Sequence, residues 1–478
     1  MSWTKAEMWA IICDLGEFPG LYVYVRVKDQ KKKVVMWDKR CALKLRKAGK
    51  SFRVAVFCGF FLLSFLGCAQ LPNEFFAYIV ATEGQSQWEL VRSQPGISGN
   101  LFELRLRSQI WRGIPWEHRL TLIEPNEIMV GDVVFLYISG DPNPGDTVLG
   151  LTVATASGLR VAILNSVPNQ PLFGLREDAL IAYTFEQYLK TGEPDWPLLF
   201  PMVRSALSAM EAISSFLAEK GVKVRGFVVS GASKRGWTAY LTAAAAPTSV
   251  LGIIPIVFDF LNFPVQLLRQ RELFGEPSAM LRDYTARGLT ELFGAGAKEA
   301  RLAWLVDPYS YRYAYTMPKL IVVGSNDPYW ASDATNLYWP GLPDPKFLLV
   351  VPNAGHNVFD FTRVLTSVAT FSRTVAEGVE LPRLRWEWRW EGEEVSLHVQ
   401  ADQEVVEARL WKTHGPKPDL RTYRWEAQDL SELGPTWDVS FVPTAGFTGV
   451  FLELEFSVGG RRLFLSTPIR ILGSLSSP

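Results

Sequence analysis

The chain has 478 residues, 48% of them hydrophobic and 13% aromatic, with a formal net charge of zero. That length suits one large domain plus a smaller one, and the composition excludes a disordered or low-complexity chain. The first 53 residues hold 13 Lys and Arg against 5 Asp and Glu, leaving 36 against 44 in the rest; a mildly acidic body with no basic, aromatic-interleaved stripe is not expected to bind nucleic acid.

All four cysteines, Cys13, Cys41, Cys58 and Cys68, precede residue 70, so the body has no disulfide, thiolate metal site or cysteine nucleophile. The four histidines, His118, His356, His398 and His414, include no pair at a metal-ligand spacing, and neither a metal nor another cofactor is expected.

Taken from the N-terminus, residues 1–53 read as a basic extension ending in "KLRKAGKSFR" (Lys44 to Arg53), and residues 54–68 follow with an uncharged apolar run. Basic then apolar is the order of a signal peptide, and roughly 15 residues are too few to span a bilayer as a helix. The end "FLGC" resembles a lipobox, which makes Cys68 the expected lipidation site; simple cleavage is the alternative. Signals normally begin near the start of a chain, so translation is expected to start at Met36 or closer to Lys44. The protein is therefore expected to be exported, and either secreted or held at the membrane by a lipid anchor.

From about residue 100 to 380 short apolar runs alternate with amphipathic stretches, the pattern of a largely parallel sheet flanked by helices. Strands are predicted at 132–139, 161–167, 224–230, 251–258, 319–325 and 346–352, several as the continuous β-branched runs of doubly buried strands. Met202 to Lys220 reads as a helix, with Val203, Leu207, Met210, Ile213 and Leu217 at intervals of three and four and Gly221 as its stop. The aromatic-rich stretch between Phe258 and Lys319 has helical spacing and reads as an insertion over the edge of the sheet. After residue 380 the period changes to two, as in "LRWEWRWE" and "FLELEFSV", which predicts an antiparallel β-sandwich over 381–478.

The chemistry gathers on three loops. Ser233 lies in "VVSGASKRGW", between an apolar strand and an alanine-rich helix, the setting of a nucleophile elbow. The spacing departs from G-x-S-x-G, with Arg235 where a small residue is usual and Gly236 one place later. Asp327 follows "KLIVVGSN" and His356 follows "KFLLVVPNAG", so Ser, Asp and His come in order at successive strand ends. A hydroxyl needs a base to become nucleophilic, and the base needs a carboxylate to fix its tautomer. Asp259 is a competing acid and Asp333 a weaker one. The backbone N–H of Lys234 and that of Gly140 or Asp141, in "YISGDPNPGD", are candidate oxyanion donors. His118 reads as structural, His398 and His414 as incidental, and Arg235 as either outward-facing or aimed at an acidic substrate group.

With "GASKRGWT", "VFDFLNF", "LVDPYSYR", "MPKLIVVGSNDPYW", "VPNAGHN" and "ARLWKTHGPKPDLRTYRW" in view, the chain resembles the PhoPQ-activated pathogenicity-related protein family over about residues 100–472. The resemblance implies an α/β-hydrolase fold, export, and a triad of Ser233, Asp327 and His356. It departs in the acid loop, where "NDPYW" replaces a usual G-D-[ED]-F-F. The elbow is also similar to the G-x-S-R-x-G of glucuronoyl esterases. The expected function is a serine hydrolase for an ester or amide of a small molecule or peptide; a peptidase and a non-catalytic secreted binding protein are the alternatives.

Overall fold

The computed structural model describes residues 8–10, 23–25, 72–292, 296–358, 360–431, 436–442 and 445–473. The basic stretch Lys44 to Arg53, the apolar run 54–68 and Cys68 lie outside the described residues. The chain forms two units, Met1–Gln70 and Leu71–Pro478. In the first, β1 (Met8–Ala10) pairs antiparallel with β2 (Val23–Val25).

In the second unit, among the described residues, the main sheet has nine strands in the order β11-β10-β9-β8-β6-β7-β5-β4-β3. Three of them, β3 (Gln87–Gly96), β4 (Gly99–Trp111) and β5 (Ile114–Pro125), form an antiparallel meander. The other six are parallel: β6 (Val133–Ile138), β7 (Arg160–Leu164), β8 (Gly226–Ala232), β9 (Val250–Ile256), β10 (Lys319–Gly324) and β11 (Lys346–Val351). Each of these six falls on a predicted strand. The meander was not anticipated: β3 is an edge strand exposed at nearly every position and carries no apolar period to read, whereas β4 and β5 alternate buried and exposed residues, as at Phe102, Leu104 and Leu106, a period of two that the predicted strands do not include.

The helices are α1 (Asn73–Ala81), α2 (Pro144–Ser157), α3 (Glu177–Thr191), α4 (Leu199–Glu219), α5 (Lys234–Ala245), α6 (Phe263–Phe274), α7 (Ala297–Val306) and α8 (Phe361–Glu377), with one-turn pieces between α6 and α7. The sheet has a core on each face. Helices α4 and α5 cover one, where Val203, Leu207, Met210, Ile213 and Leu217 of α4 are all buried. Helices α2 and α8 pack together over the other. Fully covered parallel strands need apolar side chains on both faces, which is why they read as unbroken runs.

The C-terminal region consists of antiparallel sheets. One is β12 (Leu384–Glu391), β13 (Glu394–Ala401) and β16 (Thr436–Phe441); the other is β15 (Glu426–Asp429), β14 (Val405–Gly415), β17 (Phe447–Val458) and β18 (Arg461–Ser466), with β19 (Arg470–Gly473) on β17. The alternation in "FLELEFSV" carries Leu452, Leu454 and Phe456 into the core. Its other face is covered as well, for Glu453 and Glu455 are buried. Glu453 accepts from Arg363 Nε of α8 at 2.8 Å, and Glu455 pairs with Arg462. A buried carboxylate persists only with such partners, and here the partner ties a helix of the main sheet to the C-terminal sheet.

Candidate active site

Ser233 sits between β8 and α5 with φ 58° and ψ −127°. A non-glycine residue holds positive φ only where its surroundings force it. Two glycines make the turn possible. A Cβ on Gly231 would lie 2.6 Å from the Arg235 carbonyl oxygen, and one on Gly236 would lie 3.0 Å from the Gly231 carbonyl oxygen and 3.1 Å from that of Ile256. The close approach of strand and helix therefore runs through Gly231 and Gly236, which accounts for a spacing one residue longer than G-x-S-x-G. Trp237 locks the helix start by donating to the Val306 carbonyl at 2.6 Å and stacking on Phe258.

The loops after β10 and β11 bring Asp327 and His356 to this serine. His356 Nε2 lies 2.9 Å from Ser233 Oγ, and Nδ1 lies 2.8 Å from Asp327 Oδ2. Asp327 is buried, and its other oxygen accepts the Tyr329 N–H at 2.9 Å. Both carboxylate oxygens are thus engaged, which orients the carboxylate toward the imidazole. Pro328 does not displace Asp327; the turn it starts brings Tyr329 over His356, with ring centroids 4.2 Å apart and planes inclined by 31°. That stacking face was not anticipated, although the unusual "DPYW" was its signal.

The competing acids are used elsewhere. Asp259 accepts from Thr335 Oγ1 and the Tyr338 hydroxyl, and burial pushes its carboxyl up to about 7. Asp333 pairs with Arg269 at 2.7 Å. His118 is buried, with Nδ1–H donating to the Asn165 carbonyl and Nε2 accepting from Ser108; burial pushes the ring down to about 4. His398 and His414 meet Asp438 and Thr448 on the C-terminal sheets.

The two cations after the serine converge on one residue. Arg235 donates to both oxygens of Glu177, at 2.8 and 2.7 Å, and from Nε to the Val167 carbonyl at 2.6 Å. Lys234 Nζ lies 2.9 Å from Glu177 and 3.4 Å from Asp178. Burial works against ionising Glu177, but the hydrogen bonds and charge of Arg235, joined by Lys234, outweigh it and hold the carboxyl well below the ordinary range. The Arg235 guanidinium is therefore committed to groups inside the protein, although the side chain lines the cavity beside Ser233. Its guanidinium lies so close to Gly140 that a Cβ there would meet it at 2.6 Å. Gly140 and Ser233 line the same cavity, and the Lys234 N–H, first in α5, has no partner in the helical ladder. Asp141 is engaged by Arg176.

The C-terminal region also reaches the site. Asn326, before the acid, donates to the carbonyls of Arg421 (3.0 Å) and Tyr423 (2.7 Å). Arg421 donates to the Pro328 carbonyl at 2.8 Å. Asn353, three residues before the base, exchanges two hydrogen bonds with the backbone of Trp425, at 2.9 and 2.7 Å. A single segment, 421–425, thus braces both loops. No local pattern announces these long-range contacts, nor the role of Glu177.

The sheet order, the flanking helices and the strand-end placement of these residues define an α/β-hydrolase fold with antiparallel sheets at its C-terminal end. A profile of the PhoPQ-activated pathogenicity-related protein family matches residues 75–423, and the chain belongs to that family. It is similar to autocrine proliferation repressor protein A of Dictyostelium discoideum, at 31% identity over 422 residues, covering 79% of this chain and 85% of that one. Among solved structures it is similar to an acetyl xylan esterase from Paenibacillus sp. R4, at 13% identity and a TM-score of 0.42, covering 59% of this chain and 87% of that one. An S-formylglutathione hydrolase from Agrobacterium tumefaciens matches at 16% identity and a TM-score of 0.41, with coverage of 61% and 100%.

Proposed function

We propose that this protein is an exported serine hydrolase that cleaves a carboxylic ester, or an amide, through an acyl-enzyme on Ser233. The observation that carries this reading is the continuous relay from Ser233 Oγ to His356 to Asp327, at 2.9 and 2.8 Å, on a serine held at φ 58°. His356 Nε2 takes the proton as Oγ attacks the substrate carbonyl, and Asp327 keeps Nδ1 protonated and steadies the imidazolium that forms. The Lys234 N–H and the Gly140 N–H receive the charge on the carbonyl oxygen. Collapse of the tetrahedral adduct expels the leaving group with the proton from His356. Water, activated by the same histidine, then releases the acid.

A fluorophosphonate probe tests this reading. The wild-type protein is expected to be labelled and Ser233→Ala is not; a wild-type protein that resists the probe at millimolar concentration would overturn it. A signalling role is the second reading, favoured by the name of the Dictyostelium relative, an autocrine proliferation repressor. In that case Ser233→Ala keeps its biological effect. Export with a lipid on Cys68 is tested by mass spectrometry of the mature N-terminus, where a diacylated Cys68 is the expected first residue.

A further inference from the structure

Two spaces of very different size meet at Ser233. One, about 40 Å³, lies on the Lys234 side among aromatic rings that include Trp237, Phe258 and Tyr284. The other, about 510 Å³, runs from Ser233 between α2 and α8. That volume is typical of ligand pockets, which run from about 300 to 1,000 Å³. Its walls are aliphatic: Leu149 and Val153 from α2, Val161 and Ile163 from β7, Val364 and Leu365 from α8.

Several of the polar groups that reach this cavity are occupied. Ser230 Oγ donates to the Ile254 carbonyl at 2.7 Å, and Asp146 accepts from Asn165 at 2.6 Å and from Ser139 at 3.2 Å. The Arg235 guanidinium is turned to Glu177. The Tyr137 hydroxyl has no protein partner among the described residues, and burial pushes it up to about 12, so it stays neutral. An anionic ligand finds no unpaired cation here, since Arg235 is held by Glu177, whereas a hydrocarbon chain loses water at every methylene.

On the proposed hydrolase reading, the geometry points to an aliphatic acyl chain, longer than butyryl, as the group bound in this cavity, so that the substrates are lipid-like carboxylic esters. The leaving oxygen must take its proton from His356, and beside His356 an open groove along Asn353, Gly355 and Asn357 leads to solvent. The alcohol departs that way, and the acyl group stays on Ser233 with its chain in the cavity.

Nitrophenyl esters from acetyl to dodecanoyl test the acyl arm, and acetate esters of ethyl to octyl alcohols test the leaving-group arm. Each buried methylene is worth about fourfold in kcat/KM, so the acyl series should rise at about that rate per carbon to at least hexanoyl while the alcohol series stays flat. In Leu149→Trp and Leu365→Trp the octanoyl-to-acetyl ratio of kcat/KM should fall at least tenfold; a ratio within one variant does not depend on how much protein is folded. A flat acyl series, a rise confined to the alcohol series, or unchanged ratios in both Trp variants overturn the inference. If fluorophosphonate still labels Ser233 in that case, this inference falls alone; if neither labelling nor hydrolysis of any ester occurs, the hydrolase reading falls with it.

Discussion

At the scale of single residues, the surroundings of Ser233 decide what its hydroxyl can do. Asp327→Asn keeps the volume of the carboxylate but lets the side chain donate to Nδ1, which stabilises the tautomer that cannot act as a base. On the hydrolase reading, kcat is expected to fall about 10⁴-fold, measured on any ester that the wild type turns over. Glu177 shows its effect through acidity. Its folded-state carboxyl is depressed, so its ion pairs stabilise the protein above the unfolded value of 4.5 and are lost as pH falls below it. Urea midpoints of the wild type should drop more steeply between pH 5 and 3 than those of Glu177→Gln. His118 obeys the same sign by a different route. Buried and neutral, with its ring pushed from 6.5 down to about 4, it contributes in full above pH 6.5. As pH falls through that interval, stability drops by up to about 3 kcal/mol. The pH slope should be flatter in His118→Asn, a protein that is less stable at pH 7.

At the scale of elements, the acid and base loops are short excursions from β10 and β11, and neither is held by its own strand alone. Asn326 and Asn353 receive their partners from segment 421–425. Asn353→Ala removes two of these bonds and leaves a backbone N–H and carbonyl of Trp425 without partners, at a cost of about 1–3 kcal/mol. Displacement of a catalytic group by about 1 Å costs on the order of 10²-fold in rate. On the hydrolase reading, activity should therefore fall by more than the loss of folded protein explains, with kcat affected more than KM. Equal percentage losses of activity and of folded protein by circular dichroism would show that the brace has no positioning role. Tyr329 poses a related question: Tyr329→Phe keeps the ring over His356 and should retain activity, whereas Tyr329→Ala should lower it.

At the scale of the whole molecule, the C-terminal sheets are a structural part of the main fold. Glu453, 1% exposed, neutralises Arg363 on α8. Ser466 caps the Val350 N–H on β11 at 3.1 Å, and Asn336 donates to the Ile469 carbonyl at 2.7 Å. A chain ending at residue 382 would lose all of these partners together and expose the outer face of α8. Such a truncation should bind a hydrophobic dye such as ANS and show no cooperative thermal transition; a folded, cooperative fragment would show that the two regions are energetically separable.

Much of this protein was legible in the sequence because the signals were local. Parallel strands covered on both faces read as apolar runs, several of them unbroken, and all six could be placed from such runs and their alternation with amphipathic stretches. Ser233 could be placed because it lies between an apolar strand and an alanine-rich helix, while the Gly231 and Gly236 spacing departed from the usual elbow. Asp327 and His356 could be named because each follows a strand directly. Strand β3 escaped because an exposed edge strand owes its pairing to a neighbour and not to its own pattern; the alternation of β4 and β5 was there to be read. Only the tertiary structure decided between Asp327 and Asp259 as the partner of His356, turned Arg235 inward to Glu177, and brought segment 421–425 against two loops about 70 to 100 residues earlier. These outcomes depend on which groups lie within 3 Å of one another after folding. The period of a sequence carries no record of such distances.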